Sequence, residues 1–188
     1  MPWLPHLEAD GRDTRGVLRN LEDLQPFDQS GRAQVIVETP KGCRNKYSYD
    51  SELGLFRLKS SMPAGMVFPF DFGFLPGTRG EDGDPLDVLV LMDEPATQGC
   101  LVLTRLIAVV EAEQTEKEKT ERNDRLIGVA MTSHDYRSVE TPEQLSPDLL
   151  TEIEQFFVSY NRLAEKEFRP IRRAGADRAR QLVEAGRR

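Results

Sequence analysis

Short stretches of alternating or continuous apolar residues, separated by glycine and proline turns, occupy most of the first two thirds of the chain. Alternation with β-branched side chains indicates strands, and short continuous apolar runs are typical of strands that are buried on both faces. The pattern predicts strands at Gln34–Thr39, Lys46–Asp50, Leu55–Lys59, Leu86–Met92, Leu101–Val110 and Arg125–Met131. The second and third form a hairpin around a turn at Asp50–Gly54. Many short strands joined by such turns favour a small closed barrel.

The period of the apolar positions becomes helical in the C-terminal third. Ser146 followed by Pro147 is typical of a helix start, with a hydroxyl at the N-cap and a proline in the first turn. The apolar stripe that follows consists of Leu149, Leu150, Ile153, Phe156, Phe157, Tyr160 and Leu163. A second helix is expected at about Asp177 to Ala185. The predicted fold is therefore α+β and mainly β, a small closed β-barrel with C-terminal helices packed against it.

Two other segments lack a clear period. Residues 1–33 are polar and rich in turn formers, and we interpret them as an N-terminal extension that packs late or stays mobile. The remaining residues, 34–188, have a length typical of one domain. The charged run Glu111–Asp124 indicates a solvated loop or the frayed tip of a hairpin, and its alternating Glu and Lys residues favour the solvated loop.

The composition narrows the classes of partner. A formal net charge of -7 argues against nucleic acid, because neutralising phosphates requires a basic surface. The longest apolar run, Leu101–Val110, is interrupted by Arg105 and is shorter than the ~20 residues that span a bilayer, so no membrane partner is expected. Cys43 and Cys100 are far apart and have no His or Cys at ligand spacing, which indicates two reduced thiols in a cytoplasmic protein.

Three aspartates in the segment EDGDPLD carry the clearest chemical signal. Asp82, Asp84 and Asp87 are close together in sequence, Gly83 permits a tight turn and Pro85 restricts the chain before the next strand. Clustered carboxylates repel one another unless a cation neutralises them, and ligands with oxygen donors only suit a hard cation such as Mg²⁺. The spacing excludes an EF-hand. On these residues alone, a solvated aspartate turn remains an alternative to a metal site.

The aspartate turn lies among further motifs in a fixed order. They are ETPKG from Glu38, NKYSYD from Asn45, PFDFGF from Pro69, EDGDPLDVLVLMDEP from Glu81 and IEQFFVSY from Ile153. With these motifs the chain resembles the family I soluble inorganic pyrophosphatases over most of its length. The resemblance implies an OB-like barrel that hydrolyses inorganic diphosphate to two phosphates. It also implies Mg²⁺ as the cofactor, with Mn²⁺ as an alternative, and a homo-oligomer.

The resemblance also implies roles for single residues. Asp82 and Asp87 would bind the metal. Asp84 would bind metal as well and would be the base that takes a proton from the attacking water. Glu38 would support the metal cluster.

Three further residues are implied to bind the substrate. Lys46 and Tyr160 would contact phosphate oxygens. Arg125, which stands where the family pattern has a lysine, would do the same.

Other positions depart from the family pattern. Ser48 replaces a glutamate, Ser60 an arginine, Phe68 and Phe72 two tyrosines, Gln114 and Asn123 two aspartates, and Asn161 a lysine. These exchanges remove three carboxylates and two cations. Each lost hydrogen bond to a charged group is worth ~1.5–3 kcal/mol, so we expect weaker metal binding and slower turnover.

Neighbouring residues offer replacements for some of the lost groups. Asp124, our candidate for a further metal ligand, and Glu113 each stand one position from an expected aspartate, and Lys59 stands one position from the missing arginine. A slip of one residue on a strand reverses the side chain, so such a replacement requires a bulge or an irregular loop.

Three functions therefore stay open. The first is a Mg²⁺-dependent diphosphatase with reduced or altered activity. The second is a catalytically impaired paralogue that acts as a phosphate-binding or assembly protein. The third is a hydrolase of a related phosphorylated small molecule.

Overall fold

The computed structural model describes residues 21–188. In this part of the chain the strands and helices are β1 (Ala33–Thr39), β2 (Asn45–Asp50), β3 (Leu55–Ser61), β4 (Asp71–Phe74), β5 (Asp87–Leu91), β6 (Leu101–Glu116), β7 (Lys119–Arg122), β8 (Arg125–Ala130), α1 (Pro147–Leu163), β9 (Glu167–Gly175) and α2 (Ala176–Ala185). Short 3-10 turns occur at Leu21–Asp23 and Pro142–Gln144. Within the described residues, no helix is both long enough and apolar enough to span a bilayer.

Five strands pair in a closed ring. Their order is β1–β4–β5–β8–β6, and β6 pairs again with β1. All pairs in the ring are antiparallel except β5 with β8. β6 extends beyond the ring and there carries β7 and β9, while β2 and β3 form a separate hairpin. The mainly β fold with C-terminal helices is thus confirmed.

Alternation along the ring strands divides the core in two. Val88 and Val90 of β5 pack in a cluster that includes Val183 of α2. Leu89 and Leu91, on the opposite face of the same strand, pack in the cluster that includes α1. Each helix therefore covers one set of alternate strand residues, as expected for strands buried on both faces.

The buried face of α1 agrees with the predicted apolar stripe, but two details of the prediction were wrong. Ile153 and Phe157 are buried, as predicted, but Leu163 at the end of the helix is 55% exposed. The hydroxyl of Ser146 makes no capping hydrogen bond. The helix start therefore depends on the proline in the first turn and on the buried stripe rather than on the hydroxyl.

Part of the predicted extension packs on the domain, whereas residues 1–20 lie outside the described residues. Gln25 accepts a hydrogen bond from Arg187, and the guanidinium of Arg180 lies 5.2 Å from the ring of Phe27. β1 begins at Ala33, within the predicted extension. Residues 25–31 are therefore held against α2 and the C-terminus.

Three strands were not predicted, namely β4, β9 and β7, which belongs to the charged run Glu111–Asp124. β4 is only four residues long and fully buried, and Gly73 is required there because a Cβ would lie 2.1 Å from the carbonyl oxygen of Ile36. β9 is polar, contains Pro170 and pairs with β6 between Ala108 and Thr115. A short strand and a polar strand both lack the alternation that sequence patterns detect.

The prediction of a solvated loop at Glu111–Asp124 was wrong, and the hairpin alternative is correct. β6 continues to Glu116, and β7 returns from Lys119. Lys117 and Glu118 form the two-residue turn with φ of 48° and 69°, which matches the twist of the flanking strands. The charged residues that resembled a loop thus belong largely to a strand pair.

One buried carboxylate joins the elements outside the ring. Glu111 of β6 is 2% exposed and lies among three arginines. It accepts hydrogen bonds from Arg122 of β7, Arg172 of β9 and Arg178 of α2. Arg172, followed by Arg178, lowers the pKa of Glu111 to about 2. This cluster fixes β7, β9 and α2 on β6.

We predict that Glu111→Gln lowers the free energy of unfolding at neutral pH by about 2 kcal/mol or more, because it leaves Arg172 and Arg178 without their counter-charge. The folded-state pKa of Glu111 is depressed from 4.5 to about 2. Its contribution is therefore present above pH 4.5 and is lost as the pH falls through about 2. The difference between the two proteins should accordingly shrink in acid.

Urea unfolding of both proteins at neutral and acidic pH measures this difference. Glu113→Gln is the matched control, since Glu113 forms an ion pair with Arg169 at the surface. The control should lose less than about 1 kcal/mol. An equal loss in both variants would contradict the role of Glu111.

Candidate active site

A cavity of about 740 Å³ opens where the β2–β3 hairpin, the start of β5, the β6–β7 hairpin and the end of α1 meet. It brings together seven of the predicted site residues: Glu38, Lys46, Asp82, Asp84, Asp87, Arg125 and Tyr160. The fold thus gathers residues that are more than 120 positions apart in sequence (38 and 160) around one space.

The aspartate turn forms one rim of the cavity. Gly83 adopts φ of 88°, and the amide of Gly80 donates to the carbonyl of Asp84 at 2.7 Å. Asp82 accepts a hydrogen bond from the amide of Asp84 at 3.1 Å. Burial raises the pKa of Asp82, and the neighbouring Asp84 carboxylate raises it further. Asp84 itself is exposed, and its carboxylate has no hydrogen bond or ion pair with residues 21–188.

Asp87 lies deeper than the rest of the turn. Burial raises the pKa of Asp87 to about 6, although Arg125 and Lys46 act in the opposite direction. Its carboxylate lies 2.8 Å from the guanidinium of Arg125. Asp87 is therefore a buried carboxylate whose nearest counter-charge is the Arg125 guanidinium.

Glu38 and Lys46 form a buried pair on the opposite wall. The two Glu38 oxygens accept from the Lys46 ammonium at 2.8 Å and from the amide of Tyr49 at 2.7 Å. The Lys46 ammonium also lies 4.3 Å from the centre of the Phe72 ring. Both Glu38 oxygens are thus engaged, and the carboxylate holds the Lys46 ammonium at the cavity.

Tyr160 of α1 supplies a phenol at the cavity. Burial, followed by the charge of Asp87, raises the pKa of Tyr160 to about 12. The hydroxyl therefore stays protonated and can donate a hydrogen bond. Its ring stacks on Phe156 at 6.0 Å and packs on Phe68 at 5.7 Å. Of the two phenylalanines that replace tyrosines, Phe72 lines the cavity and Phe68 packs behind it.

Asp124 is the predicted site residue that does not line this cavity. Its carboxylate accepts hydrogen bonds from the amide of Ala112 at 2.9 Å and from Arg122 at 2.7 Å. It borders a smaller adjoining cavity of about 330 Å³ instead. Glu113 is likewise paired with Arg169. Both carboxylates are held by other partners, which opposes their use as replacement ligands.

Lys59, in contrast, reaches the cavity through a bulge. Lys46 pairs with Ser60 and Tyr47 pairs with Leu58, so Lys59 is the extra residue of β3. Lys59 lines the cavity and Ser60 does not. The irregularity that a replacement for the missing arginine requires is therefore present in the hairpin.

Several charged cavity residues were missed by the sequence analysis. Arg57 pairs with Asp50 at 2.9 Å, and Lys166 pairs with Glu116 at 2.8 Å. The two-residue spacing of Arg57 and Lys59 on β3 was a usable signal, since alternate residues share a face of a strand. Lys166 follows α1 and has no comparable sequence pattern.

Residues 35–188 match the family model described as inorganic pyrophosphatase. The chain is 38% identical over 149 residues to the inorganic pyrophosphatase of Methanosarcina acetivorans, which covers 79% of this chain and 86% of that protein. The chain belongs to the inorganic pyrophosphatase family.

Two further members agree with this placement. Soluble inorganic pyrophosphatase 2 of Chlamydomonas reinhardtii is 35% identical over 162 residues, which covers 86% of this chain and 82% of that protein. The crystal structure of inorganic pyrophosphatase from Thermus thermophilus superposes with a TM-score of 0.81 at 29% identity, over 89% of this chain and 96% of that chain. The match to an inorganic pyrophosphatase structure confirms the expected OB-like fold.

The donor chemistry of this pyrophosphatase-family site fits a divalent cation in part. Asp82 and Asp84 offer only carboxylate oxygens, which suit a hard cation, whereas the carboxylate of Asp87 is already paired with Arg125. Among residues 21–188, however, no three Asp, Glu, His or Cys side chains are already grouped as a metal site. The fit is best at the aspartate turn, where Asp84 is not engaged by another side chain.

Proposed function

We propose that this chain hydrolyses inorganic diphosphate to two phosphates in the large cavity, with Mg²⁺ as the cofactor and Mn²⁺ as an alternative. The proposal is carried by one observation: four complementary side chains line the same cavity. They are the unpaired carboxylate of Asp84, the cations of Lys46 and Lys59, and the phenol of Tyr160. Membership of the inorganic pyrophosphatase family supports the same reaction.

The residues suited to hold the metal are Asp82 and Asp84, with Glu38 as a support, because the carboxylate of Asp87 is already paired with Arg125. A divalent cation supplies positive charge to the phosphoryl oxygens and makes water a better nucleophile at neutral pH. Asp84 is the residue best placed to accept the proton of the attacking water, because its carboxylate is exposed at the rim.

The remaining cavity residues bind and orient the substrate. Lys46 is fixed by Glu38 and presents a positive charge to a phosphate oxygen. Tyr160 donates a hydrogen bond, because its pKa of about 12 keeps the phenol protonated. Lys59 supplies the second cation in place of the arginine that Ser60 replaces.

The exchanges in the site support a rate below that of relatives with the full set of residues. Phe72 offers no donor at the cavity, and Asn161 gives its amide to the carbonyl of Phe157 at 2.9 Å instead of a cation to the substrate. A lost hydrogen bond to a charged group is worth ~1.5–3 kcal/mol, or about tenfold or more in rate if it acts on the transition state.

A second candidate is a phosphate-binding or assembly protein without turnover. It is favoured by one observation: the carboxylates of Glu38 and Asp87 have side-chain cations, Lys46 and Arg125, as partners. Phosphate release from diphosphate, measured with Mg²⁺, Mn²⁺ or a chelator, separates the two functions.

The expectations of a homo-oligomer and of a cytoplasmic location stay predictions.

We predict that Asp84→Asn lowers kcat by at least about 100-fold, because it removes the proton acceptor for the attacking water. Glu94→Gln is the control, since Glu94 is exposed and lies outside the cavity. Phosphate release under saturating Mg²⁺ measures both. Full activity in Asp84→Asn would exclude this base, and no release from the wild type with either metal would refute the hydrolase.

We also predict that Lys59→Ala raises KM for diphosphate about tenfold, because one charge-assisted contact to phosphate is lost. Ser60→Ala should leave KM unchanged, and Lys59→Arg should restore most of the affinity. Initial rates over a range of diphosphate concentrations provide the values. An equal response of Lys59→Ala and Ser60→Ala would show that the bulge plays no part in substrate binding.

A further inference from the structure

We infer that Arg125 is an internal cation that neutralises Asp87, so that the cavity wall formed by Asp87, Arg125, Asn123 and Gln114 takes no divalent cation. The metal is thereby restricted to the Asp82 and Asp84 side of the cavity. The inference concerns the same cavity and rests on the proposed function only in treating Asp82 and Asp84 as metal ligands.

The backbone fixes the pair of Asp87 and Arg125. The two residues are direct partners in the parallel pairing of β5 with β8. Their side chains meet at 2.8 Å, and Arg125 is only 4% exposed. A buried charge is stable only with a partner, so separating these two groups is strongly unfavourable. Arg125 is thus a fixed part of the wall, unlike a flexible surface cation.

Aromatic packing holds the guanidinium in place. Its central carbon lies 5.0 Å from the Phe157 ring and 5.3 Å from the Phe168 ring. Arginine stacks on aromatic faces and is not deprotonated in proteins. The positive charge opposite Asp87 therefore persists at every pH at which the protein is folded.

Neutral amides flank this pair. The side-chain amide of Asn123 donates to the side-chain oxygen of Gln114 at 3.1 Å, and the Asn123 side-chain oxygen accepts from Arg125. Arg125 also donates to the backbone carbonyl of Asp124 at 3.2 Å. Both ends of the Asn123 side chain are thus engaged, and the amide of Gln114 adds no negative charge.

The charges of this wall sum to zero, because Asp87 and Arg125 cancel and the two amides are neutral. A divalent cation placed there would meet a guanidinium, and the neighbouring carboxylate of Glu121 is already paired with Lys119 at 2.6 Å. The aspartate turn differs, since Asp82 and Asp84 carry two negative charges without an arginine or lysine ion pair among residues 21–188. One side of the cavity therefore favours a divalent cation and the other excludes it.

Counting the Mn²⁺ ions bound per chain, without diphosphate, tests this inference. The electron paramagnetic resonance signal of free Mn²⁺ measures the unbound ion during titration of the full chain. The wild type should bind no Mn²⁺ that depends on Asp87, and Asp82→Asn should remove most of its binding. Arg125→Gln should gain one additional Mn²⁺, because the variant leaves Asp87 without a counter-charge.

Arg137→Gln is the matched control, since it changes the net charge equally at an exposed position outside the cavity. If Arg125→Gln does not fold, the double variant Gln114→Asp/Asn123→Asp takes its place, because it keeps the buried ion pair of Asp87 and Arg125. This double variant should also bind one additional Mn²⁺. The inference would be overturned if no folded variant binds an additional Mn²⁺. It would also be overturned if Asp87→Asn abolishes Mn²⁺ binding by the wild type whereas Asp82→Asn does not.

The outcome is independent of turnover. A wild type that hydrolyses no diphosphate but shows this pattern of Mn²⁺ binding would refute the proposed reaction and support the inference. An active wild type whose Arg125→Gln and Gln114→Asp/Asn123→Asp variants gain no ion would support the reaction and refute the inference.

Discussion

The structure depends on a single long strand. β6 runs for 16 residues and hydrogen bonds to β1, β7, β8 and β9, so it both closes the ring and carries the elements outside it. Its inner part packs in both halves of the core, as Val109 and Val110 lie in different clusters. Further along, Glu111 binds the arginines of three elements, and Gln114 reaches the cavity. The position of the cavity wall is thus set by the strand that also stabilises the fold.

The balance of charge distinguishes the two sides of the cavity. At the aspartate turn, Asp82 and Asp84 carry carboxylates. Within the described residues, neither carboxylate forms an ion pair with an arginine or a lysine. On the β6–β8 side, Arg125 and two neutral amides remove the need for a cation. On the hairpin, the bulge presents Lys59 where the neighbouring Ser60 has no charge. Unpaired carboxylates and fixed side-chain cations thus lie on different sides of the cavity in this member of the inorganic pyrophosphatase family.

Much of this fold could be predicted from the sequence, because the buried strands and α1 have clear periods of two and about 3.6 residues. β9 could not, since its polar residues are stabilised by pairing with a distant part of the chain. The motifs identified the cavity residues, but only the structure could decide whether Lys59 or Asp124 replaces a lost group. That decision rests on a bulge in one case and on hydrogen bonds to Ala112 and Arg122 in the other. Neither the bulge at Lys59 nor the hydrogen bonds of Asp124 can be recognised from the local sequence.

The most direct test of the account is a crystal structure with Mn²⁺ and methylenediphosphonate, a diphosphate analogue that cannot be hydrolysed. Anomalous scattering locates the metal independently of the ligand. The account predicts the analogue in the large cavity, in contact with Lys46, Lys59 and Tyr160, with Mn²⁺ at Asp82 and Asp84 and the Asp87–Arg125 pair intact. An analogue bound elsewhere, or Mn²⁺ inserted between Asp87 and a displaced Arg125, would contradict it.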